Sequence, residues 1–414
     1  MSRKPDRLRY TGVAPYSDQA QLIRCQSLTS STDFTQERLL ELANLGHTEI
    51  IDEATVSATL EFNDYGGTDN FAALMGQGQY NSSRTNDYVI SDNIFENASV
   101  DITAKVATDD STIARTIWIG NASLTGFSMS YSVDGVATES YDFEGDFKRW
   151  FLNTYAHVKA YKADFSSATT ALVSGTNLQN GTEAGLLVTV NNEVISDLNA
   201  GDAITLLDAS SDTTITTDTP LALVDGDRIR LLTYDTAKVF PTLPSTPDGL
   251  GGLRKDMIEV YLWNPDTGTE QKGLRIQSVD LSVDLGRETR DELGNNKPYY
   301  RSLTRPIDVS VNVEFLDSDL EAHAKLAGNE TTFDADTLSV IDIDDFVRDN
   351  KLFIKCYKSE TTHTNANLLK MIEISNLSVS SEEGSVAVGD DATWSVSMSA
   401  DNFMISGSAV NPIL

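Results

Sequence analysis

The residues that most often do chemistry in enzymes are few and scattered in this chain. They are His47, His157, His323, His363, Cys25 and Cys356. No HExxH pair, no His–Cys spacing typical of zinc, no GxSxG turn and no phosphate-binding Walker A loop is found. The acidic runs 341–345 and 388–391 lack the spacing of a calcium loop. The sequence therefore predicts no catalytic residues, no metal site, no cofactor and no enzyme.

Polar side chains instead recur at every second position of four predicted strands. In the run 278–285, serine and aspartate alternate with valine and leucine, and the run 307–315 repeats the pattern. Period-two alternation predicts strands with one face in a core and one in water. The polar-face positions are Ser27, Thr29, Ser31, Asp33, Thr55, Ser57, Thr59, Glu61, Ser278, Asp280, Ser282, Asp284, Asp308, Ser310, Asn312 and Glu314.

The side chains of these positions are all hydroxyl, amide or carboxylate groups. Six are carboxylates, and none is a lysine, an arginine or an aromatic residue. Cations bind phosphates and aromatic rings stack on bases, so this face would hold neither part of a nucleic acid. An ordinary solvated sheet face is the alternative, and it predicts charges of both signs.

The composition of the whole chain is strongly acidic. Its 414 residues contain 31 basic and 62 acidic side chains, for a net charge of −31. Such a surface repels nucleic-acid phosphates and anionic membranes. The N-terminus has no apolar signal-peptide core and no run is long enough to span a membrane, so we expect the protein to be made in and kept in the cytoplasm.

The sequence repeats itself at a spacing of 251 to 255 residues. The segment 25–44 matches 276–295 at eight of twenty positions, and 54–64 matches 307–317. Asn121 matches Asn376, and Thr138 matches Thr393, at the same larger spacing. Matches in one order along the chain indicate a tandem duplication.

The predicted fold is mainly β, with two tandem copies and a small all-β module between them. The domain boundaries that we predict are 1–165, 166–248 and 249–414. Each copy has a long loop between its first two strands, at 35–53 and 286–306, and loops of this length are usually functional. A short helix is predicted after each strand pair, at TDNFAALMG and SDLEAHAKLAG.

Two stretches resemble the tail tube proteins of tailed bacteriophages and archaeal viruses. The run 292–315, ELGNNKPYYRSLTRPIDVSVNVEF, looks like the family's long loop leading into a lumen strand. The run 124–146, LTGFSMSYSVDGVATESYDFEGD, is similar to its late antiparallel strands. The resemblance covers both copies but contains no short diagnostic motif.

The resemblance implies a β-sandwich or split-barrel domain that contributes a hairpin to a ring-shaped inner barrel. A duplicated domain implies trimeric rings with pseudo-sixfold symmetry, stacked into a tube that conducts DNA. The sixteen polar-face positions would then face the lumen, and the middle module would decorate the outside. The long loops would contact the next ring through Glu37, Glu41, Asn44, Glu288, Glu292, Asn295, Tyr299 and Arg301.

The expected partners are further copies of this chain and other tail proteins: tape measure, terminator and distal tail proteins. Viral DNA would pass without specific binding, and no membrane partner is expected. The protein would be assembled in the host cytoplasm and reside in the virion tail. A distal tail or baseplate ring protein is an alternative that stops at one ring, and a surface adhesin is a second, which would need a secretion route.

Overall fold

The computed structural model describes a large part of both predicted copies and shorter segments between them. The described residues are 12–16, 25–34, 36–40, 47–51, 55–67, 71, 74, 87–89, 99–107, 113–151, 155–167, 170–174, 183–184, 187–190, 193–197, 203–209, 212–216, 228–234, 251–264, 269–271, 274–291, 293, 298, 300–316, 350–385 and 392–407.

The first half of the chain contributes ten described strands. They are β1 (Gly12–Tyr16), β2 (Ser27–Asp33), β3 (Gln36–Leu40), β4 (His47–Ile51), β5 (Thr55–Asn63), β6 (Asp87–Val89), β7 (Ser99–Ala107), β8 (Ile113–Ser132), β9 (Thr138–Gly145) and β10 (Phe147–Phe151).

The middle of the chain contributes eight further strands, which pair into one sheet of their own. They are β11 (Tyr155–Ser167), β12 (Thr170–Ser174), β13 (Glu183–Ala184), β14 (Leu187–Val190), β15 (Glu193–Asp197), β16 (Ala203–Ala209), β17 (Asp212–Thr216) and β18 (Arg228–Tyr234). This sheet begins at Tyr155, before the predicted module boundary at 166, and the boundary itself stays a prediction.

The second half contributes the last ten strands. They are β19 (Ile258–Asn264), β20 (Thr269–Gln271), β21 (Ile276–Asp284), β22 (Arg287–Arg290), β23 (Tyr300–Leu303), β24 (Asp308–Leu316), β25 (Asn350–Tyr357), β26 (Leu368–Ser385), β27 (Thr393–Ala400) and β28 (Asn402–Gly407). Two 3-10 turns, Lys255–Met257 and Asn365–Asn367, complete it. The prediction of a mainly β fold is confirmed.

Eight strands form a continuous antiparallel run in the order β2-β5-β9-β8-β21-β24-β27-β26. The first four belong to the first half and the last four to the second. The two sets pair in the same register: Ser27 lies opposite Glu61, and their repeat positions, Ser278 and Glu314, lie opposite each other. The register of β5 with β9 likewise matches that of β24 with β27. The register of β8 with β9 matches that of β26 with β27. The two halves are thus copies of one four-strand unit.

The long strands β8 and β26 each change partners near their middle. β8 pairs with β10 up to Gly120 and with β9 from Ser123, and β26 pairs with β28 up to Ser375 and with β27 from Ser378. Asn121 and Asn376 lie at these points with φ of 50° and 59°. Asparagine tolerates this left-handed conformation better than most residues, which explains the repeated asparagine in the sequence.

The eight-strand run has one buried face. Its core side chains include Leu60, Phe127, Leu281, Val311 and Val396, which belong to a single hydrophobic cluster spanning both halves. Because adjacent side chains of a strand point to opposite faces, the intervening polar residues are left on the other side. One shared core therefore fixes which face of all eight strands meets water.

The long loops contain short antiparallel ribbons. β3 pairs with β4, and β22 pairs with β23, in equivalent registers. In the first predicted helix, Phe71 and Leu74 are helical and buried. The second predicted helix lies outside the described residues.

Candidate functional site: the polar face and its open edges

The sixteen predicted polar-face residues share one side of the sheet. Ser27, Thr29, Ser31 and Asp33 lie opposite Glu61, Thr59, Ser57 and Thr55 in β2 and β5. Ser278, Asp280, Ser282 and Asp284 lie opposite Glu314, Asn312, Ser310 and Asp308 in β21 and β24. None of the sixteen is buried. The structure brings them together across the chain; that this face lines a lumen stays a prediction.

The sequence-based set was incomplete, because four more strands extend the same face. Their face positions, fixed by the register, are Thr138, Ser140, Asp142, Glu144, Gly126, Ser128, Ser130, Ser132, Thr393, Ser395, Ser397, Ser399, Ser381, Glu383 and Ser385. Their alternation of serine with apolar residues was the signal that could have found them. Within this described face, no position holds a lysine, an arginine or an aromatic residue.

Hydroxyl groups donate to neighbouring carboxylates and amides across the strands of this face. Ser130 Oγ donates to Asp280 Oδ1 at 2.6 Å, and Thr59 Oγ1 donates to Asp142 Oδ1 at 2.6 Å. Ser395 Oγ donates to Asn312 Oδ1 at 2.8 Å. These bonds order the face, while its acceptor-rich and anionic chemistry attracts neither phosphate groups nor stacked bases.

The two halves join through β8 and β21. These strands pair from Ser132 opposite Ser278 to Gly126 opposite Asp284. On the buried side of this junction Phe127 packs on Phe403 of β28, with ring centroids 5.3 Å apart. β28 also pairs with β6 of the first half. The junction therefore combines a backbone ladder with a shared apolar core.

A buried ionic cluster crosses the same junction. Lys370 of β26 is fully buried, and its ammonium contacts Asp64 and donates to Glu139 Oε1 at 2.7 Å. Tyr131 donates to Asp64, and Tyr141 to Glu139, each at 3.0 Å. Lys370 thereby ties the second half to two carboxylates of the first.

Burial and charge shift the pKa values of this cluster. Desolvation raises the pKa of Glu139 to about 7, because it outweighs the opposing attraction of Lys370. Burial alone would lower the pKa of Lys370, but the charges of Asp64 and Glu139 raise it above its ordinary value. Burial also raises the pKa of the Cys356 thiol, so this cysteine is not a reactive thiolate.

Two arginines of the ribbon β22–β23 bind it to the first half of the chain. Arg301 of β23 is buried and contacts Asp146, and its Nε lies 3.4 Å from Glu144 Oε1. Arg287 Nε donates to the carbonyl of Leu124 at 2.9 Å. Arg301, predicted as an inter-ring contact, thus has partners within its own chain.

The other predicted loop residues divide between described and undescribed positions. Glu37 lies in β3, and Glu288, in β22, is exposed beside Arg290. Sequence reasoning missed Leu293, which is fully exposed on the same ribbon. The residues that fall outside the described part of the chain are Glu41, Asn44, Glu292, Asn295 and Tyr299.

The two outer edges of the eight-strand run are β2 and the C-terminal part of β26. Among the described strands, β2 pairs with β5 alone, and residues 381–385 of β26 pair with β27 alone. Ser30 and Thr32 stand where β21 has buried Leu281 and Val283. A strand edge with polar residues on both faces resists indiscriminate pairing, which is how proteins protect open edges.

Two large apolar side chains are exposed beside these edges. Phe34, which follows β2, is 66% exposed, and Trp150 of β10 is 49% exposed. Lys148 of β10 donates to the carbonyl of Ser30 in β2 at 3.2 Å, and its ammonium lies 5.4 Å from the Trp150 ring centroid. Exposed aromatic residues of this size are often contact sites for another protein.

The described residues contain no group of three His, Cys, Asp or Glu side chains able to hold a metal ion. Within the same part of the chain, no helix is long and apolar enough to cross a membrane.

Comparisons with solved structures give partial likenesses, and two of them are described here. No protein-family model and no curated relative matches the sequence. The SPP1 tail tube, a hybrid solid-state NMR and cryo-EM structure, is 13% identical over 38% of this chain and 81% of that chain, with a TM-score of 0.27. The anti-feeding prophage cap, a tube-terminating cap, is 11% identical over 41% of this chain and 96% of that chain, with a TM-score of 0.25. Likenesses at this level do not assign the chain to a family.

Proposed function

We propose that this chain is a structural subunit that assembles into rings and stacks them into a viral tail tube through which DNA passes. The observation that carries the proposal is the repetition of one four-strand unit in identical register, joined through β8 and β21. Among the described strands, β2 at one end of the run and residues 381–385 of β26 at the other each keep one edge unpaired. A head-to-tail contact between such edges closes into a ring when the rotation between units allows it.

Closing the eight-strand run into a ring would pair the exposed backbone groups of its outermost strands. Each chain supplies eight strands to the run, so three chains would give about 24 strands. With roughly 4.8 Å between strands and a tilt of about 35–45°, the backbone diameter would be roughly 45–52 Å. Side chains would take up about 10 Å of that width. The remaining channel is wide enough for a DNA duplex.

The chemistry of the polar face supports a conduit for DNA. Carboxylates such as Asp142, Asp280 and Asp308 repel the phosphate backbone, and hydroxyl groups fill the positions between them. Counterion release at lysines and arginines is the main source of nonspecific affinity for DNA, and the described face has neither residue. DNA would therefore slide along it without being held.

Partners and location follow from the same proposal. The main partner would be the chain itself, in rings and between rings, and other tail proteins would start and end the tube. The protein would assemble in the host cytoplasm and remain in the virion tail.

Electron microscopy of the purified chain, over a series of protein and salt concentrations, tests the proposal. We expect hollow tubes with regular cross-striations, with salt favouring them because it screens the charge of −31. Single closed rings that never stack would support the alternative of a distal tail ring protein. A chain that stays monomeric at every concentration, even with tube ends added as seeds, would contradict both.

A further inference from the structure

We propose that chains join through an ion pair between Glu382 of one chain and Lys148 of the next, at a junction in which β26 pairs with β2 of a second copy. The inference rests on the proposed ring assembly and adds its interface. It follows from treating the junction inside the chain as a template for the junction between chains.

The repeat gives each residue of the inner junction a counterpart at the outer edges. Positions of β8 and β10 correspond to β26 and β28 at a spacing of 255, and β2 corresponds to β21 at a spacing of 251. The junction inside the chain joins the first half to the second half. The junction between chains would join the second half of one chain to the first half of the next. Each inner contact therefore predicts one contact between chains.

At the junction between chains, two residues of opposite charge stand at the positions that correspond to Phe127 and Phe403. Phe127 corresponds to Glu382, and Phe403 corresponds to Lys148. Two positions whose rings lie 5.3 Å apart inside the chain thus hold a carboxylate and an ammonium at the outer edges. This complementary replacement of an aromatic pair favours a specific partner, a second copy of this chain.

The exposed aromatic residues beside the edges support the same junction. Phe34 corresponds to Leu285, which is fully buried at the inner junction and donates its N–H to the carbonyl of Thr125. Trp150 corresponds to Ile405, which is buried and pairs with Tyr88 of the other half. Both exposed side chains therefore stand where their counterparts are covered by the adjoining half.

The template also gives the strand register between chains. Asp280 opposite Ser130 predicts Thr29 of one chain opposite Ser385 of its neighbour. Asp284 opposite Gly126 likewise predicts Asp33 opposite Ser381. On the core side, Thr32 would lie opposite Glu382.

One ion pair of the junction inside the chain has no equivalent at the junction between chains. Arg301 contacts Asp146 inside the chain, whereas Glu49 and Asp401 stand at the equivalent positions of the outer junction. The junction between chains would therefore lack this ion pair. We expect it to be the weaker of the two junctions and to open first on dilution.

Charge reversal tests the ion pair. Glu382→Lys and Lys148→Glu should each raise the protein concentration needed for assembly by about tenfold or more, and the double variant should restore it to within about threefold. Glu383→Lys is the matched control, because it makes the same charge change on the neighbouring residue but faces the polar side. Unchanged thermal unfolding of the subunits shows that each variant folds. A double variant that assembles no better than the single variants would overturn the ion pair.

Disulfide trapping tests the register and separates this inference from the proposed function. In a Cys25→Ser background, Thr29→Cys with Ser385→Cys should cross-link neighbouring chains, because directly opposed strand residues are close enough for a disulfide. The pair Thr29→Cys with Ser381→Cys should not, since these positions are about 13 Å apart along the strand. Rings without the first cross-link, or with equal cross-linking of both pairs, would overturn the junction and leave the tube function standing. Absence of any oligomer would overturn both.

Discussion

Lys370 shows how single residues tie the two halves of the chain together. Its ammonium is fully buried among Asp64, Glu139 and the Tyr131 ring, all of which belong to the first half. A buried ion pair adds little compared with an apolar core of the same shape, but removing one partner leaves a charge without compensation. The cluster therefore makes the halves depend on each other.

We expect Lys370→Met to lower the free energy of unfolding by about 3–5 kcal/mol, because Asp64 and Glu139 would remain buried without a cation. Urea denaturation of the subunit measures the loss. Lys351→Met is the matched control: the Lys351–Glu373 pair, at 2.8 Å, is partly exposed and should cost about 0–1 kcal/mol. Equal losses in the two variants would contradict the role of the buried cluster.

Glu139 should make stability depend on pH. Desolvation raises its pKa from 4.5 to about 7 in the folded chain, so between these values the folded chain holds a proton that the unfolded chain releases. This contribution to stability is full below pH 4.5 and is lost as the pH rises toward 7. Urea unfolding between pH 5 and 7 should show declining stability in the native chain and a flatter profile in Glu139→Gln. Parallel profiles would contradict the assignment.

At the scale of elements, the ribbon β22–β23 is fixed at one end and exposed at the other. Arg287 and Arg301 fasten its base to the first half, whereas Leu293 is fully exposed. A held base with an exposed apolar side chain suits a contact with another ring. The ribbon's base thus belongs to the fold, and we propose that its exposed end contacts another ring.

We expect Leu293→Asp to block the stacking of rings while leaving single rings intact, because a charge replaces the exposed apolar contact. Electron microscopy counts tubes against rings, and Leu293→Met should retain tubes. Normal tubes from Leu293→Asp would show that this side chain is not part of the stacking contact.

At the scale of the whole molecule, the polar face would line a channel only if the proposed rings close. Serines and carboxylates from eight strands form one continuous surface, to which each half contributes four strands. In a ring this surface would become the channel wall, whose charge acts on DNA over about a Debye length.

Replacing Asp280, Asp284 and Asp308 with lysine should leave rings intact but slow DNA release, because the new cations would bind phosphates. Ejection rates from assembled virions, measured at low and high salt, report the effect, which salt should weaken. A control with Asp134, Asp256 and Glu360 changed to lysine makes the same charge change at exposed positions outside the face. Unchanged ejection in the first variant would reject the lumen assignment.

The sequence by itself determined the β class, the duplication and the polar sides of four strands. Period-two alternation is a local feature of neighbouring residues, such as the serines and valines of 278–283, and the duplication is visible by comparing two segments of the same sequence. The repeated Asn121 and Asn376 were also visible, although their left-handed conformation was not. The sequence could not order the strands, because alternation says which face is polar but not which strands are neighbours.

Only the tertiary structure decided that β8 pairs with β21, and so that the two halves form one sheet, whose outermost described strands each keep an unpaired edge. It also brought Lys370 to Asp64 and Arg301 to Asp146, contacts between residues far apart in the chain. Such contacts depend on the closing of a shared core, where burial makes each unpaired charge costly. For that reason the covered and uncovered members of the repeat, Leu285 and Phe34, could be told apart only after folding.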